Sequence, residues 1–142
     1  MARAAAQGGG ADARLIAAAD TTPDDLLGAA GYIFVCPENL ASMSGVMKDM
    51  FDRCYYPLLG RVEGRPYATI IAAGSDGSGA QAQIDRIVTG WRLKRIAEPM
   101  IVNFHAQTPE AILAEKHVSE AIIGKCGELG AALCEGLNLG IF

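Results

Sequence analysis

Residues 31–45 of the chain read Gly-Tyr-Ile-Phe-Val-Cys-Pro-Glu-Asn-Leu-Ala-Ser-Met-Ser-Gly. They open with an apolar run, Gly31 to Cys36, in which no polar residue alternates with the apolar ones. Such a run is typical of a strand that is covered on both faces, as in a parallel sheet. A polar loop follows the run, and after the loop comes an apolar stripe at the spacing of an amphipathic helix. The stripe consists of Val46, Met47, Met50, Phe51 and Cys54.

Three further apolar runs suit buried strands: Ala13 to Ala19, Tyr67 to Ala73 and Pro99 to Phe104. Segments with helical periodicity lie between the four runs, and this alternation favours βαβ units with right-handed crossovers. The sequence therefore predicts an α/β fold, a three-layer sandwich around a parallel sheet with four visible strands. In such sheets, ligands bind at the carboxyl ends of the strands.

The helical segments have recognisable starts. Thr22-Pro-Asp-Asp25 predicts a short helix with a Thr cap, a Pro in the first turn and acids near its positive end. Ser78-Gly-Ala-Gln81 has the spacing of a capping box. A last helix is expected from about Ser119 to Asn138. Three glycines inside it are each expected to weaken it by about 1 kcal/mol: Gly124, Gly127 and Gly130.

Length and composition indicate one domain spanning residues 1–142, with 51% hydrophobic and 20% charged residues. This composition excludes disorder for most of the chain. The net charge is −4, and the basic residues cluster only at Arg92, Lys94 and Arg95, which argues against nucleic acid or an anionic membrane as partner. No run approaches the roughly 18 apolar residues of a membrane span, and the first residues lack a secretory apolar region. We therefore expect a cytoplasmic protein.

The four cysteines lie in apolar runs without Cys-x-x-Cys spacing, which predicts reduced core thiols and neither disulfides nor a metal site. The serines that follow the predicted strands, Ser42, Ser44, Ser75 and Ser78, have no adjacent histidine in sequence, so no catalytic side chain is predicted. His105 alone follows a strand expected to end at the ligand-binding edge, and a polar loop residue is the alternative interpretation. The cysteines are Cys36, Cys54, Cys126 and Cys134.

The loop after the Gly31 strand is the first candidate binding segment, because it is polar where the topology predicts a ligand. Its Asn and Ser side chains and the N–H groups of the following helix start offer hydrogen bonds to a polar ring or an anion. The alternative is an ordinary βα loop with Ser44 as the N-cap. The candidate residues are Pro37, Glu38, Asn39, Leu40, Ser42, Met43, Ser44 and Gly45.

The loop after the Tyr67 strand is the second candidate. Three glycines in six residues permit close backbone approach to a bound ring or phosphate. The glycine spacing matches neither the P-loop nor the dinucleotide fingerprint, and a tight turn is the alternative interpretation. The candidate residues are Gly74, Ser75, Asp76, Gly77 and Ser78, followed by Gly79.

The segment 31–53 resembles the NAD(P)H-dependent FMN reductase branch of the flavodoxin-like proteins, which includes quinone oxidoreductases. The second glycine-rich loop falls where that family has its second flavin loop, and the resemblance extends from about Ala13 to Trp91. The matching residues in the first segment are Pro37, Asn39, Met43, Gly45, Lys48, Phe51 and Asp52.

This resemblance implies a flavodoxin-like sheet of five parallel strands in the order 2-1-3-4-5, with FMN at the carboxyl edge. The residues of the first loop would contact the flavin ring and ribityl chain, and the second loop would approach the pyrimidine side. The implied reaction passes electrons from NAD(P)H through FMN to a small-molecule acceptor such as a quinone. Assembly as a homo-oligomer is implied as well. The alternative is an interaction or scaffold domain of the same fold without a cofactor.

The family begins with a strand and a Ser/Thr-Gly-rich loop that wraps the FMN phosphate, whereas Met1 to Gln7 resembles the end of the helix that follows this loop. By this resemblance the chain is expected to lack the first family strand, and without the loop FMN affinity is expected to fall about a thousandfold. Three explanations remain open. The Ala13 strand closes up against the Gly31 strand, another chain fills the gap, or the native protein starts further upstream.

Overall fold

The computed structural model covers residues 1–142 and places a sheet between two layers of helices. In chain order, the helices are α1 (Ala2–Gly8), α2 (Pro23–Gly28), α3 (Gly45–Leu58), α4 (Ser78–Gly90), α5 (Pro109–Leu113) and α6 (Glu120–Asn138). The strands are β1 (Tyr32–Asn39), β2 (Ser42–Met43), β3 (Pro66–Ala73), β4 (Lys94–Arg95) and β5 (Met100–Asn103). None of the helices is both long and apolar enough to cross a membrane.

The sheet is built on β3, which pairs in parallel with β1 on one edge and with β4 and then β5 on the other. The register runs from Tyr32 opposite Tyr67 to Pro37 opposite Ala72. The short strand β2 returns antiparallel to the end of β1. The predicted α/β fold with a parallel sheet is confirmed, because three of the four predicted strands are present and helices cover both faces.

The main core lies between the sheet and the helices α3 and α4. Phe51 of α3 is 1% exposed and packs between Phe34 of β1 and Trp91, with ring centroids 5.2 and 5.4 Å apart. The apolar stripe predicted for residues 46–54 is confirmed as a helix, although Val46 at its start is exposed. The expected short helix at Thr22 also forms, with the Thr22 and Asp25 capping box closed.

On the opposite face, α1 packs directly against α6. Ala5 meets Gly130, and a side chain at Gly130 would collide with the Ala5 carbonyl oxygen. At Gly8 of α1, likewise, a side chain would collide with the Gly127 carbonyl oxygen. Gly8 and Gly130 therefore let the two helix backbones approach closely, and at Gly130 this contact offsets the propensity cost expected from the sequence.

The predicted strand Ala13 to Ala19 is wrong. This segment is irregular, ends in a turn before Thr21, and pairs with no strand. An apolar run becomes a strand only when its N–H and C=O groups form hydrogen bonds with a neighbouring strand, and no strand pairs with this run. Of the three explanations left open by the sequence, the one in which this run closes up against the Gly31 strand does not hold, because residues 13–19 do not pair with β1.

The predicted capping box at Ser78 is also wrong. The N-cap of α4 is Gly77, whose φ of +96° is favourable only for glycine, and no side chain of the capping residue bonds the helix. The expectation of core thiols is confirmed for Cys36, Cys54 and Cys126, which are free and buried. Cys134 is free and half-buried.

A polar network fastens α4 to the sheet. Buried Thr69 donates to the Gln81 side chain at 2.6 Å, and Gln81 and Tyr67 each donate to Asp85 at 2.9 Å. Arg95 completes the network with an ion pair to Asp85. Burial opposes ionisation of the Asp85 carboxyl, but the hydrogen bonds from Arg95, Gln81 and Tyr67 outweigh it and lower its pKa.

Phe51→Ala is expected to lower the free energy of unfolding by about 3–5 kcal/mol, because it opens a cavity between two aromatic rings. Urea denaturation monitored by Trp91 fluorescence measures the change. Tyr56→Ala on the same helix is the matched control, because Tyr56 is 79% exposed. A Phe51→Ala loss no larger than that of the control would contradict the assignment of Phe51 to the core.

The lowered pKa of Asp85 predicts a pH dependence of stability. Its ordinary pKa is 3.8, so the stabilisation is complete above about pH 4 and is lost as the pH falls through the lower folded-state pKa. Asp85→Asn should therefore be less stable at neutral pH and lose less stability than the parent chain between pH 4 and pH 2. The measurement is urea denaturation of both proteins at several pH values. If the free energy of unfolding falls equally in both between pH 4 and pH 2, Asp85 does not cause the pH dependence.

Candidate functional site

The carboxyl ends of β1, β3 and β5 meet at one edge of the sheet, and the loops that follow them lie side by side. Glu38 connects the first two loops. One oxygen of its carboxylate accepts the Gly77 N–H at 2.8 Å, and the other accepts the Ala80 N–H at 2.9 Å. The two predicted binding loops, far apart in sequence, are thus brought together by one carboxylate.

Glu38 also serves as the cap that α4 lacks locally. Its negative charge lies at the positive end of the helix and satisfies N–H groups that have no partner within α4. Each carboxylate oxygen thus already accepts one hydrogen bond from the chain itself. Among the candidates, Glu38 is therefore a positioning residue that sets the distance between the loops.

The first loop is a hairpin with a two-residue turn. Leu40 and Ala41 have φ of +52° and +57°, a left-handed conformation that costs non-glycine residues about 1–3 kcal/mol each. Gln83 of α4 holds the hairpin, because its side-chain oxygen accepts the Ser42 hydroxyl at 2.8 Å and the Met43 N–H at 2.9 Å. The turn consequently presents the Leu40 side chain fully exposed at the edge of the site.

Tight packing explains why glycine occupies two positions of the second loop, and this packing was not visible in the sequence. A side chain at Gly77 would collide with Ile101 of β5, and one at Gly79 would collide with the Ala41 carbonyl oxygen. Gly77 and Gly79 therefore allow α4 to begin directly against the hairpin and β5. The space beside the backbone at these two glycines is filled by the Ile101 side chain and the Ala41 carbonyl group of the protein itself.

A third loop, residues 103–107, borders the site and was not among the predicted binding segments. The Asn103 side chain donates to the Ser75 carbonyl and accepts the His105 N–H at 2.8 Å. The Ala106 N–H donates to the Gly74 carbonyl at 2.7 Å. His105 is exposed at this edge with a φ of +52°, as its place after a strand indicated. An asparagine that ends a strand was the available sequence signal.

The remaining candidates divide by exposure. Met43 is 2% exposed and belongs to the core, and the Ser44 N–H donates to the Pro37 carbonyl at 3.1 Å. Ser44 is the N-cap of α3 without a side-chain capping bond, and Gly45 begins that helix. The exposed residues at the edge are Pro37, Asn39, Leu40, Ser75, Asp76 and Ser78, the last with its hydroxyl on Asp76.

The donor set suits the polar edge of a flavin ring. The backbone N–H groups of Ser75 and Asp76 make no hydrogen bond within the chain, and the Asn39 amide has no protein partner. Leu40 adds an apolar contact surface. No Lys or Arg lies in the three loops, so they provide no cation for a phosphate dianion. No cluster of three or more His, Cys, Asp or Glu residues is placed to hold a metal ion.

Comparison with known proteins points to the same chemistry. A family model described as NADPH-dependent FMN reductase matches residues 4–107. No curated protein matches the chain significantly.

Solved structures share the fold at low identity. A flavodoxin from the domain Archaea superposes with a TM-score of 0.74 at 15% identity, covering 96% of this chain and 87% of that one. The flavodiiron core of Flv1 from Synechocystis sp. PCC6803 gives 0.72 at 14%, covering 97% of this chain and 32% of that one. A flavodoxin-like domain from a Synechococcus sp. protein gives 0.58 at 14%, covering 96% and 88%. Identities this low establish the flavodoxin-like fold alone.

Glu38→Ala is expected to lower the free energy of unfolding by about 1–3 kcal/mol, because two charge-assisted hydrogen bonds are lost and two N–H groups lose their acceptor. Amide hydrogen exchange at Gly77 and Ala80 should accelerate. Asp76→Ala is the matched control, since it removes an acid from the neighbouring loop but only the bond from Ser78. Unchanged exchange at Gly77 and Ala80 would refute the bridging role of Glu38.

Proposed function

The chain belongs to the NADPH-dependent FMN reductase family, and on that premise we propose that it passes electrons from NAD(P)H through a flavin to a small-molecule acceptor such as a quinone. The observation that carries this proposal is the convergence of three loops at the carboxyl edge of the sheet, with free hydrogen-bond donors beside an exposed apolar side chain.

In this proposal, the N–H groups of Ser75 and Asp76 bind the acceptor atoms of the flavin ring from the second loop. The Asn39 amide and the Leu40 side chain contact the ring from the first loop. Bound FMN supplies hydride and electron transfer, and the protein supplies binding and orientation. No side chain at this edge is assigned as an acid or base. Assembly as a homo-oligomer in the cytoplasm is part of the same proposal.

Glu38 and Gln83 position the loops that contact the flavin in this proposal. Glu38 holds the second loop against the first, and Gln83 holds the strained turn that presents Leu40. Both fix the spacing between the two contact surfaces before a ligand arrives. Such preorganisation reduces the free energy that ordering the loops would otherwise cost on binding.

Because the three loops contain no Lys or Arg, we expect the phosphate of FMN to add little to its affinity for this chain. FMN and riboflavin should bind with dissociation constants within about threefold of each other, because the loops contact the ring and not the phosphate. Quenching of flavin fluorescence in parallel titrations measures both constants. Asn39→Ala should weaken both by about fivefold, the effect of one lost hydrogen bond, whereas Asn138→Ala, remote from this edge, should not.

Three outcomes of this experiment are informative. FMN binding at least a hundredfold tighter than riboflavin would show that another element of the chain holds the phosphate. Equal weakening by Asn39→Ala and Asn138→Ala would remove the first loop from the site. If neither flavin is quenched at millimolar concentration, the chain functions as a cofactor-free interaction or scaffold domain, a second candidate that the cation-free loops favour.

A further inference from the structure

A cleft of about 330 Å³ lies at the surface between α3 and α4. Two basic side chains line it, Lys48 from near the start of α3 and Arg86 from the middle of α4. Ala82, Gln83 and Ile87 of α4 complete the lining. No carboxylate is among the lining residues, so the cleft is locally basic in a protein whose net charge is −4.

Arg86 is the cation of this cleft that has no partner. It is exposed, and none of the ion pairs of the structure involves it. Lys48 donates to the Asp52 carboxylate at 2.6 Å, which uses one N–H group of its ammonium and leaves the others free. The guanidinium of Arg86 therefore presents its whole fork of donors to a ligand, and Lys48 adds a second cation beside it.

Gln83 connects the cleft to the candidate binding loops. Its side-chain oxygen accepts hydrogen bonds from Ser42 and Met43 of the hairpin, which leaves its Nε2 group without a partner in the chain. An amide donor beside two cations suits the oxygens of a phosphate group. The cleft thus offers hydrogen-bond donors from three side chains to one anion.

Ala82 and Ile87 give the cleft an apolar surface beside these donors. Ile87 is half-buried and Ala82 is exposed, so both leave apolar surface open to a ligand. An inorganic anion has no apolar part to bury, whereas a phosphate carried on a nucleoside brings a sugar and a flat ring that gain from apolar contact. The lining therefore fits a phosphorylated nucleoside better than a free anion.

The cleft lies close to the candidate site. Arg86 is about one turn along α4 from Gln83, and Lys48 is about one turn along α3 from the end of the hairpin. One helical turn is about 5.4 Å. The turn of the same hairpin presents Leu40, which the proposed function assigns to the flavin ring. An electron donor with one end at the ring can therefore place its other end in the cleft.

We propose, on the premise of the proposed function, that this cleft is the subsite for the 2′-phosphate of NADPH. Arg86 and Lys48 bind the phosphate oxygens, and the Gln83 amide donates to the same group. NADH has a hydroxyl in place of this phosphate and makes no charge-assisted hydrogen bonds to the two cations. The cleft thereby favours NADPH over NADH as the electron donor.

Binding of NADP+ and NAD+ to the chain, with and without FMN, tests the proposal, because the two nucleotides differ only in this phosphate. We expect NADP+ to bind about tenfold more tightly, since an exposed cation contributes about threefold to affinity and both cations contribute. NMR titrations of the backbone amides give both dissociation constants. The signals of Lys48, Arg86 and Ile87 should shift with NADP+ only. Equal dissociation constants, or cleft signals that do not move, would overturn the proposal.

Variants of the two cations test the subsite directly. Arg86→Gln and Lys48→Gln should each reduce the preference for NADP+ by about threefold and leave the dissociation constant of NAD+ unchanged. Lys94→Gln is the matched control, because it removes the same charge from an exposed position at the amino end of the sheet. Trp91 fluorescence verifies that each variant is folded. A preference that survives both cleft variants, or that falls equally in the control, would place the phosphate on another surface.

The same signals distinguish other sources of phosphate. Inorganic phosphate that shifts the cleft signals at the concentration needed for NADP+ would show a general anion site. FMN that shifts them where riboflavin does not would assign the cleft to the flavin phosphate. Either result would overturn the proposal.

The titrations also separate the failure of this subsite from the failure of the proposed function. Equal binding of NADP+ and NAD+ refutes the subsite alone, because a nicotinamide nucleotide still binds. If neither nucleotide binds in the presence or absence of FMN, both the subsite and the proposed function are refuted.

Discussion

The parallel pairing of β1 with β3 is the constraint on which the rest of the structure depends. It places the ends of both strands at one edge, within reach of a single carboxylate, and Glu38 then bridges to the start of α4. It also aligns Phe34 with Phe51 of α3, which packs in turn on Trp91 at the end of α4. The candidate binding loops and the main core are therefore consequences of one register, and a slip of one residue would turn Phe34 to the other face.

The main core and the candidate site occupy different parts of this arrangement. The polar network around Asp85 and the aromatic core lie beneath α4 and α3, away from the exposed loop residues. The edge itself concentrates left-handed backbone at Leu40, Ala41, Gly77 and His105. Conformations of this kind persist only where surrounding contacts enforce them, and here Glu38, Gln83 and Asn103 are those contacts.

Much of the fold was predictable because local signals coincide with global packing. The apolar runs at 31–36 and 67–73, the stripe of α3 and the Thr22 cap all act through neighbours close in sequence or through burial alone. The run at 13–19 is also mostly apolar, but a strand needs a partner beside it, and composition does not report the partner. Gly130 of α6 is a related case, since its propensity cost can be read from the sequence but its close contact with Ala5 of α1 cannot.

The candidate site shows the same division. Polar loops at the carboxyl ends of strands, and the residues in them, followed from the residue pattern, because βα topology directs such loops to one edge. Which of those residues face outward, which one bridges the loops, and the presence of a third loop at Asn103 depended on contacts between residues about 28 to 42 positions apart. The sequence by itself determines helix and strand propensity and the pattern of apolar residues. Contacts between residues far apart in the chain form only when β1, β3 and β5 pair in the sheet, so only the tertiary structure decides them.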